Sequence, residues 1–232
     1  MKSFSRSDRA SWLSIWMLIT VLGVSDAWAG GPPITDLGDG RYRLGEILID
    51  KPARTFMLAG VMIKDEPPLE YLAVKKDGQK AYESIFALNT TATEFNIACI
   101  LIGLQAEHAV LPEFHFDPNP VQGDPVKLEI EWERDGSVKT LAPEQLFLLD
   151  GKPTPAATWI YTGSVELSAG DYLAERSGTL IGFIHDQDSI IEHREGIGLG
   201  NFGSVQIDKS VAPPVGTVMR LTVTNATPRS GP

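Results

Sequence analysis

Apolar and polar residues alternate with a period of two through most of this chain, and no other feature limits its fold as much. EILID (46–50), TFMLAGVMI (55–63), LEYLAV (69–74), VKLEIEWE (126–133), TWIYTGS (158–164), TLIGFI (179–184) and GTVMRLTVT (216–224) all read as strands bounded by Pro, Gly or Asp. One stretch breaks the rhythm. Thr91 and Glu94 form a capping box, EFNIACILIGL (94–104) is an apolar helical run, and Gly103 marks its stop. APEQLFLL (142–149) is compatible with a shorter helix. The pattern predicts an α+β domain: mainly antiparallel sheet, one clear helix, one domain.

The two ends lie outside that domain. Lys2, Arg6 and Arg9 precede the apolar run WLSIWMLITVLGV (12–24), which is short for a membrane span, and AWA (27–29) places small residues where a signal peptidase reads. Residues 1–29 are therefore expected to be a signal peptide, with the mature chain exported to the periplasm or beyond and not inserted in a membrane. Residues 30–40 (GGPPITDLGDG) read as a flexible leader, 41–226 as the domain and 227–232 (TPRSGP) as a flexible tail. The formal net charge of −10 argues against nucleic acid or anionic lipid as a partner. Cys99, the single cysteine, sits in the helical run and is expected to be buried and inert. One thiol cannot hold a four-iron cluster, which needs four.

LEYLAVKKDGQKAYESIFAL (69–88) is the strongest local signal. Asp77-Gly78 is a preferred two-residue hairpin turn, and its register sets Ser84 opposite Tyr71 and Glu83 opposite Leu72. Both faces of that hairpin are largely apolar, so Glu83 is expected on a desolvated face, either closing a structural ion pair or serving a site.

Other chemistry is sparse. HDQDSIIEHRE (185–195) gathers His185, Asp186, Asp188, Glu192 and His193, but its spacing fits no metal-ligand pattern and it reads as a solvated loop. His115 and Asp117 would share a strand face, and His108 has no partner in the sequence. TGSVE (162–166) lacks the second glycine of a nucleophile elbow, and Ser164 reads as a strand end. GIGLGNFG (196–203) is not placed between a strand and a helix, so it reads as a flexible loop.

Several of these segments, in order, resemble the YdjY-domain proteins, exported bacterial proteins of unassigned function. LEYLAVKKDGQKAYESIFAL is similar to that family's Leu-Glu strand, turn and Lys-x-His-Glu-Ser; FNIACILIGL to its helix; PEFHFDP and GDPVKLEIEWERDG to its loop and Trp strand. WIYTGS, DYLAERSGTLIGFI and PPVGTVMRLTV resemble its later motifs, so the likeness runs from about Gly45 to Val223. The family's His before Glu-Ser is Tyr82 here, and its helical His is Asn96. Of a His-Glu-His set that could bind metal, only Glu83 remains, so neither a metal nor another cofactor is expected.

These readings place a binding site at Tyr82, Glu83, Ser84, Asn96, Trp159, Gly163, Ser164 and Tyr172. The expected function is a non-enzymatic module of the bacterial envelope that binds a small ligand or an envelope protein. The alternative is an envelope hydrolase with Glu83 as general base and Ser84 or Tyr82 orienting the substrate.

Overall fold

The computed structural model describes residues 32–229; the expected signal peptide and the last three residues of the expected tail lie outside them. The chain starts as a meander: β1 (Ile34–Gly38), β2 (Arg41–Leu44), β3 (Ile47–Asp50) and β4 (Thr55–Met62). Residues 34–38, within the expected leader, thus form a strand paired antiparallel to β2.

β5 (Tyr71–Lys75), β6 (Ser84–Leu88) and α1 (Ala92–Leu101) follow. Next come β7 (Asp124–Arg134), β8 (Ser137–Leu141), β9 (Phe147–Leu149), β10 (Lys152–Pro153) and β11 (Trp159–Tyr161). α2 (Leu173–Ser177), β12 (Thr179–Gly182), β13 (Ile191–His193), β14 (Val205–Ile207) and β15 (Val218–Asn225) complete the fold.

The fold is mostly β, and the α+β expectation is corrected. The order β4–β15–β7–β11–β13–β12–β5–β6 returns to β4, so eight strands close a barrel. Alternation reports that strands have one buried face, but not whether the last strand meets the first. Here β4 makes the closure. Its first half pairs with β3 (Phe56 opposite Ile49), and its second half pairs on the same edge with β6 (Gly60 opposite Leu88). The β1–β3 meander therefore peels away from the barrel where β6 enters.

Gly60 makes that entry possible. A Cβ there would lie 2.6 Å from Leu88 Cδ2 and 2.7 Å from the Ala87 carbonyl oxygen. The short helix anticipated over 142–149 is only a 3-10 turn, Pro143–Leu146, running into β9 of a small separate sheet, β10–β9–β14.

The expected hairpin is absent. β5 and β6 are parallel, and Tyr71 does sit opposite Ser84, but with both chains running the same way. A 3-10 helix, Gln79–Glu83, carries the chain back between them. Five residues of 3-10 helix cover about 8 Å of the roughly 13 Å span of a five-residue strand, and the turn at 76–78 supplies the rest of this short return. Asp77 takes the positive φ expected of the turn (+61°), but Gly78 stays at −63°. Gly78 instead packs against Gly178, where a Cβ would meet Gly78 Cα at 2.6 Å.

Burial follows the pattern. β4 and β15 alternate between covered and open positions, while β5, β6, β11, β12 and β13 are buried on both faces, apart from half-buried Lys75 at the end of β5. α1 is capped as anticipated: Glu94 N donates to Thr91 Oγ1 at 3.1 Å, and Thr91 N donates to Glu94 Oε2 at 3.0 Å. Its Phe95, Ala98 and Cys99 are buried, and Phe95 meets Phe56 of β4 edge-on with centroids 5.3 Å apart. Cys99 is fully buried, and burial pushes its thiol well above the usual range. No helix among the described residues is long and apolar enough to cross a membrane.

Gly60→Ala forces a methyl group into the β4–β6 seam. It should lower unfolding free energy by about 1–3 kcal/mol, the usual range for overpacking, read as a lower urea midpoint with an unchanged slope.

Candidate functional site

The residues singled out in the sequence fall in three places. Asn96, Gly163, Ser164 and Tyr172 line one cleft, together with Thr93, Ile97, Glu166 and Glu175. It holds about 490 Å³ between the outward side of α1 and the loop joining β11 to α2. That volume lies within the roughly 300–1,000 Å³ common for ligand sites. Glu83, Ser84 and Tyr82 sit elsewhere, at the 3-10 return, and Trp159 is a core residue.

Polar contacts hold the cleft rigid. Gly163 and Ser164 both take positive φ, +80° and +59°, at the end of β11. A side chain on Gly163 would lie 2.9 Å from Ala106 Cβ, which explains the glycine. Ser164 Oγ donates to the Gln187 carbonyl at 2.9 Å, and Tyr172 OH donates to the Gly163 carbonyl at 2.9 Å. Tyr161 OH donates to Asn96 Oδ1 at 2.7 Å, which orients the amide and leaves Nδ2 uncommitted. Glu175 receives Lys75 Nζ and both the amide and hydroxyl of Thr93. Burial alone would raise its carboxyl, but these bonds outweigh it and hold it below the usual range. Burial raises the Tyr172 phenol well above its ordinary value.

Glu83 is buried, and its Oε1 accepts from Lys80 Nζ at 3.2 Å. Lys80 also sits over the Tyr71 ring, 5.4 Å from its centroid. Burial would depress the ammonium, but the hydrogen bond to Glu83 prevails and raises it. Ser84 Oγ is spent on the Lys80 carbonyl, and Tyr82 is largely exposed. The carboxylate thus closes an ion pair on the barrel wall and does not line the cleft.

Next to it lies a network not foreseen from the sequence. Tyr71 OH donates to Asp186; His115 Nδ1 faces Asp186 Oδ2 at 3.1 Å, and His115 Nε2 faces Glu70 Oε2 at 3.3 Å. The hydrogen bonds to Asp186 and then to Glu70 raise His115 to about 9. Burial would raise Asp186, yet its bonds from His115 and Tyr71 keep it low. With both ring nitrogens donating, His115 has no lone pair to accept a proton, so it ties segments together and is not a general base. His115 and Asp186 stood out in the sequence singly, but nothing there joined them to each other or to Tyr71 and Glu70.

HDQDSIIEHRE is not the solvated loop anticipated. His185, Ser189 and Glu192 are fully buried and His193 nearly so. His185 Nδ1 faces the Asp117 carbonyl at 2.6 Å, and its Nε2 faces those of His193 and Arg194 at 3.0 and 3.1 Å. Burial pushes Glu192 well up and lowers His193 to about 4. His115 and Asp117 lie in a turn, not on a shared strand face. Within the expected flexible loop 196–203, Ile197 is buried in the core and donates its amide to the Phe183 carbonyl at 2.7 Å. No group of three or more His, Cys, Asp or Glu among the described residues is arranged to hold a metal.

The family model described as YdjY domain matches residues 47–224, from β3 nearly to the end of β15. The chain belongs to the YdjY domain family. The match takes in the barrel, α1 and every residue of the cleft, leaving only β1 and β2 before it. No curated protein and no solved structure matches the chain.

Two outcomes test these assignments. Glu83→Gln keeps shape but leaves Lys80 without its anion; losing a hydrogen bond to a charged group costs about 1.5–3 kcal/mol. Lys80 is partly open to water, which favours the lower end. At about 2–4 °C per kcal/mol the melting temperature should fall by several degrees; an unchanged or higher value would show that the pair does not stabilise the fold. His115 is held above its unfolded value of about 6.5, so its stabilisation is full below that pH and is lost as pH rises through about 9. Melting temperatures should therefore decline from pH 7 to 9.5, and His115→Ala should flatten that decline.

Proposed function

We propose that the chain is an exported, non-enzymatic binding module of the bacterial envelope, taking a small ligand or a segment of an envelope protein in the α1 cleft. The signal-like N-terminal sequence supports export. One observation carries the binding reading: Asn96, Gly163, Ser164 and Tyr172, on α1 and on the loop between β11 and α2, converge on the same cleft of about 490 Å³.

The groups around it favour recognition over chemistry. Ser164 and Tyr172 have their hydroxyl protons committed to carbonyl oxygens, and Glu175 is neutralised by Lys75. Acid–base or nucleophilic catalysis asks for a group free to exchange a proton beside the substrate. The barrel supplies the rigid wall that a preformed site needs.

Screening the purified protein by thermal shift should identify ligands that raise its melting temperature. A ligand at 100 times its Kd contributes about 2.7 kcal/mol. Ile97 is half-buried on the cleft side of α1, so Ile97→Trp should fill the cleft and abolish that rise while the protein stays folded. A ligand whose effect survives Ile97→Trp binds elsewhere, and the cleft reading then fails.

A further inference from the structure

The hydroxyls of the cleft specify what kind of ligand it takes. Thr93, Ser164 and Tyr172 all line it, and each has its hydroxyl proton committed. Their partners are the Glu175 carboxylate at 3.0 Å, the Gln187 carbonyl at 2.9 Å and the Gly163 carbonyl at 2.9 Å. Carbonyl and carboxylate oxygens cannot donate, so each hydroxyl must. A ligand that reaches any of these three oxygens therefore meets a lone pair and not a proton.

The charged groups add to this. Glu175 is matched by Lys75, but Glu166, exposed at the rim, has no cation partner among the described residues. Its Oε1 accepts the Gly170 amide at 3.1 Å, and Oε2 has no partner among the described residues. The side-chain donor left over is Asn96 Nδ2, since Tyr161 fixes the amide oxygen. Ile97 and the Tyr172 ring supply an apolar wall.

We infer that the cleft recognises an ammonium or guanidinium group on an alkyl stem, with Glu166 and the three hydroxyl oxygens accepting its protons. The stem lies along Ile97 and Tyr172, and Asn96 Nδ2 donates to a carbonyl or hydroxyl of the ligand. An anion would meet lone pairs and an unneutralised carboxylate. A free amine and the side chain of a lysine or arginine in a peptide share this chemistry. The inference rests on the cleft being the binding site, and the test separates the two.

The test is an NMR titration of the purified protein, following the Ile97 methyl and Tyr172 ring resonances. Agmatine stands for a free cation, Nα-acetyl-lysinamide for a peptide side chain, acetate for an anion and glucose for a neutral polyol. Agmatine or acetyl-lysinamide should shift both resonances, and the tighter of the two identifies the source. Glu166→Gln should weaken that binding about tenfold, the equivalent of one charged hydrogen bond. The chain is acidic overall and attracts cations nonspecifically, so Glu133→Gln, on β7 and outside the cleft, is the control and should leave affinity unchanged. Acetate or glucose binding in preference to the cations would overturn the cationic inference but leave the cleft as the site. Equal losses in the two variants would also overturn it. If no compound shifts Ile97 and Tyr172, the cleft reading fails as well.

Discussion

Everything else in this structure depends on how β4 is shared. One edge of one strand serves β3 along its first half and β6 along its second, and Gly60 is the point where the second partner comes within contact of the backbone. With the seam formed, eight strands enclose the core and no barrel strand is left with an open edge. The location of β6 also fixes α1. Only three residues separate Leu88 from Ala92, so the helix must begin where the seam ends, with Phe95 against Phe56. Thr93, Asn96 and Ile97 then face outward towards the 163–172 loop. The cleft is a consequence of closure, not a separate feature added to it.

A second set of constraints holds the long segment between α1 and β7. Residues 105–123 contain no named helix or strand, and a loop of that length packed on a barrel needs specific polar ties. His115 bridges Glu70 and Asp186, His185 faces three carbonyl oxygens, and Gln187 Nε2 donates to the Pro112 and Glu113 carbonyls. These ties bind the segment to the residues that follow β12 and flank β13, and both strands are buried throughout. The carboxylates concerned serve architecture, and Glu83 with Lys80 belongs to the same class.

Local features were legible in the sequence because local forces make them. Each of the seven alternating stretches contains a strand, and the capping box at Thr91 and Glu94 is present in both directions, whereas short strands such as β1, β9 and β13 carry no such pattern. Pairing direction was not legible. Asp77-Gly78 carries the strongest short-range hairpin signal, yet Gly78 is needed small for its contact with Gly178, 100 residues away in the chain, and the two strands run parallel. The polarity of HDQDSIIEHRE suggested solvent, but carbonyl oxygens from distant residues satisfy His185 inside the protein. Of the residues picked as a site, those near glycine-bearing loops and on the helix came together. Glu83 and its neighbours lie apart from them, on the 3-10 return that stands where a hairpin was expected.

The distribution of protons finally separates the two candidate regions. Around His115 and Asp186 one imidazolium is shared by two carboxylates, Glu70 and Asp186, and both of its nitrogens are engaged. In the cleft spare acceptors outnumber spare donors: oxygens hold free lone pairs, Glu166 lacks a cation partner among the described residues, and against them stands the one amide nitrogen of Asn96. Burial raises Tyr172, and the bonds from Lys75 and Thr93 lower Glu175, so these two groups are moved away from neutral pH rather than towards it. A general acid or base gains from a pKa near the working pH. A recognition site gains from groups whose protonation does not fluctuate, because each then presents one fixed pattern of acceptors. We therefore propose the second character for the cleft.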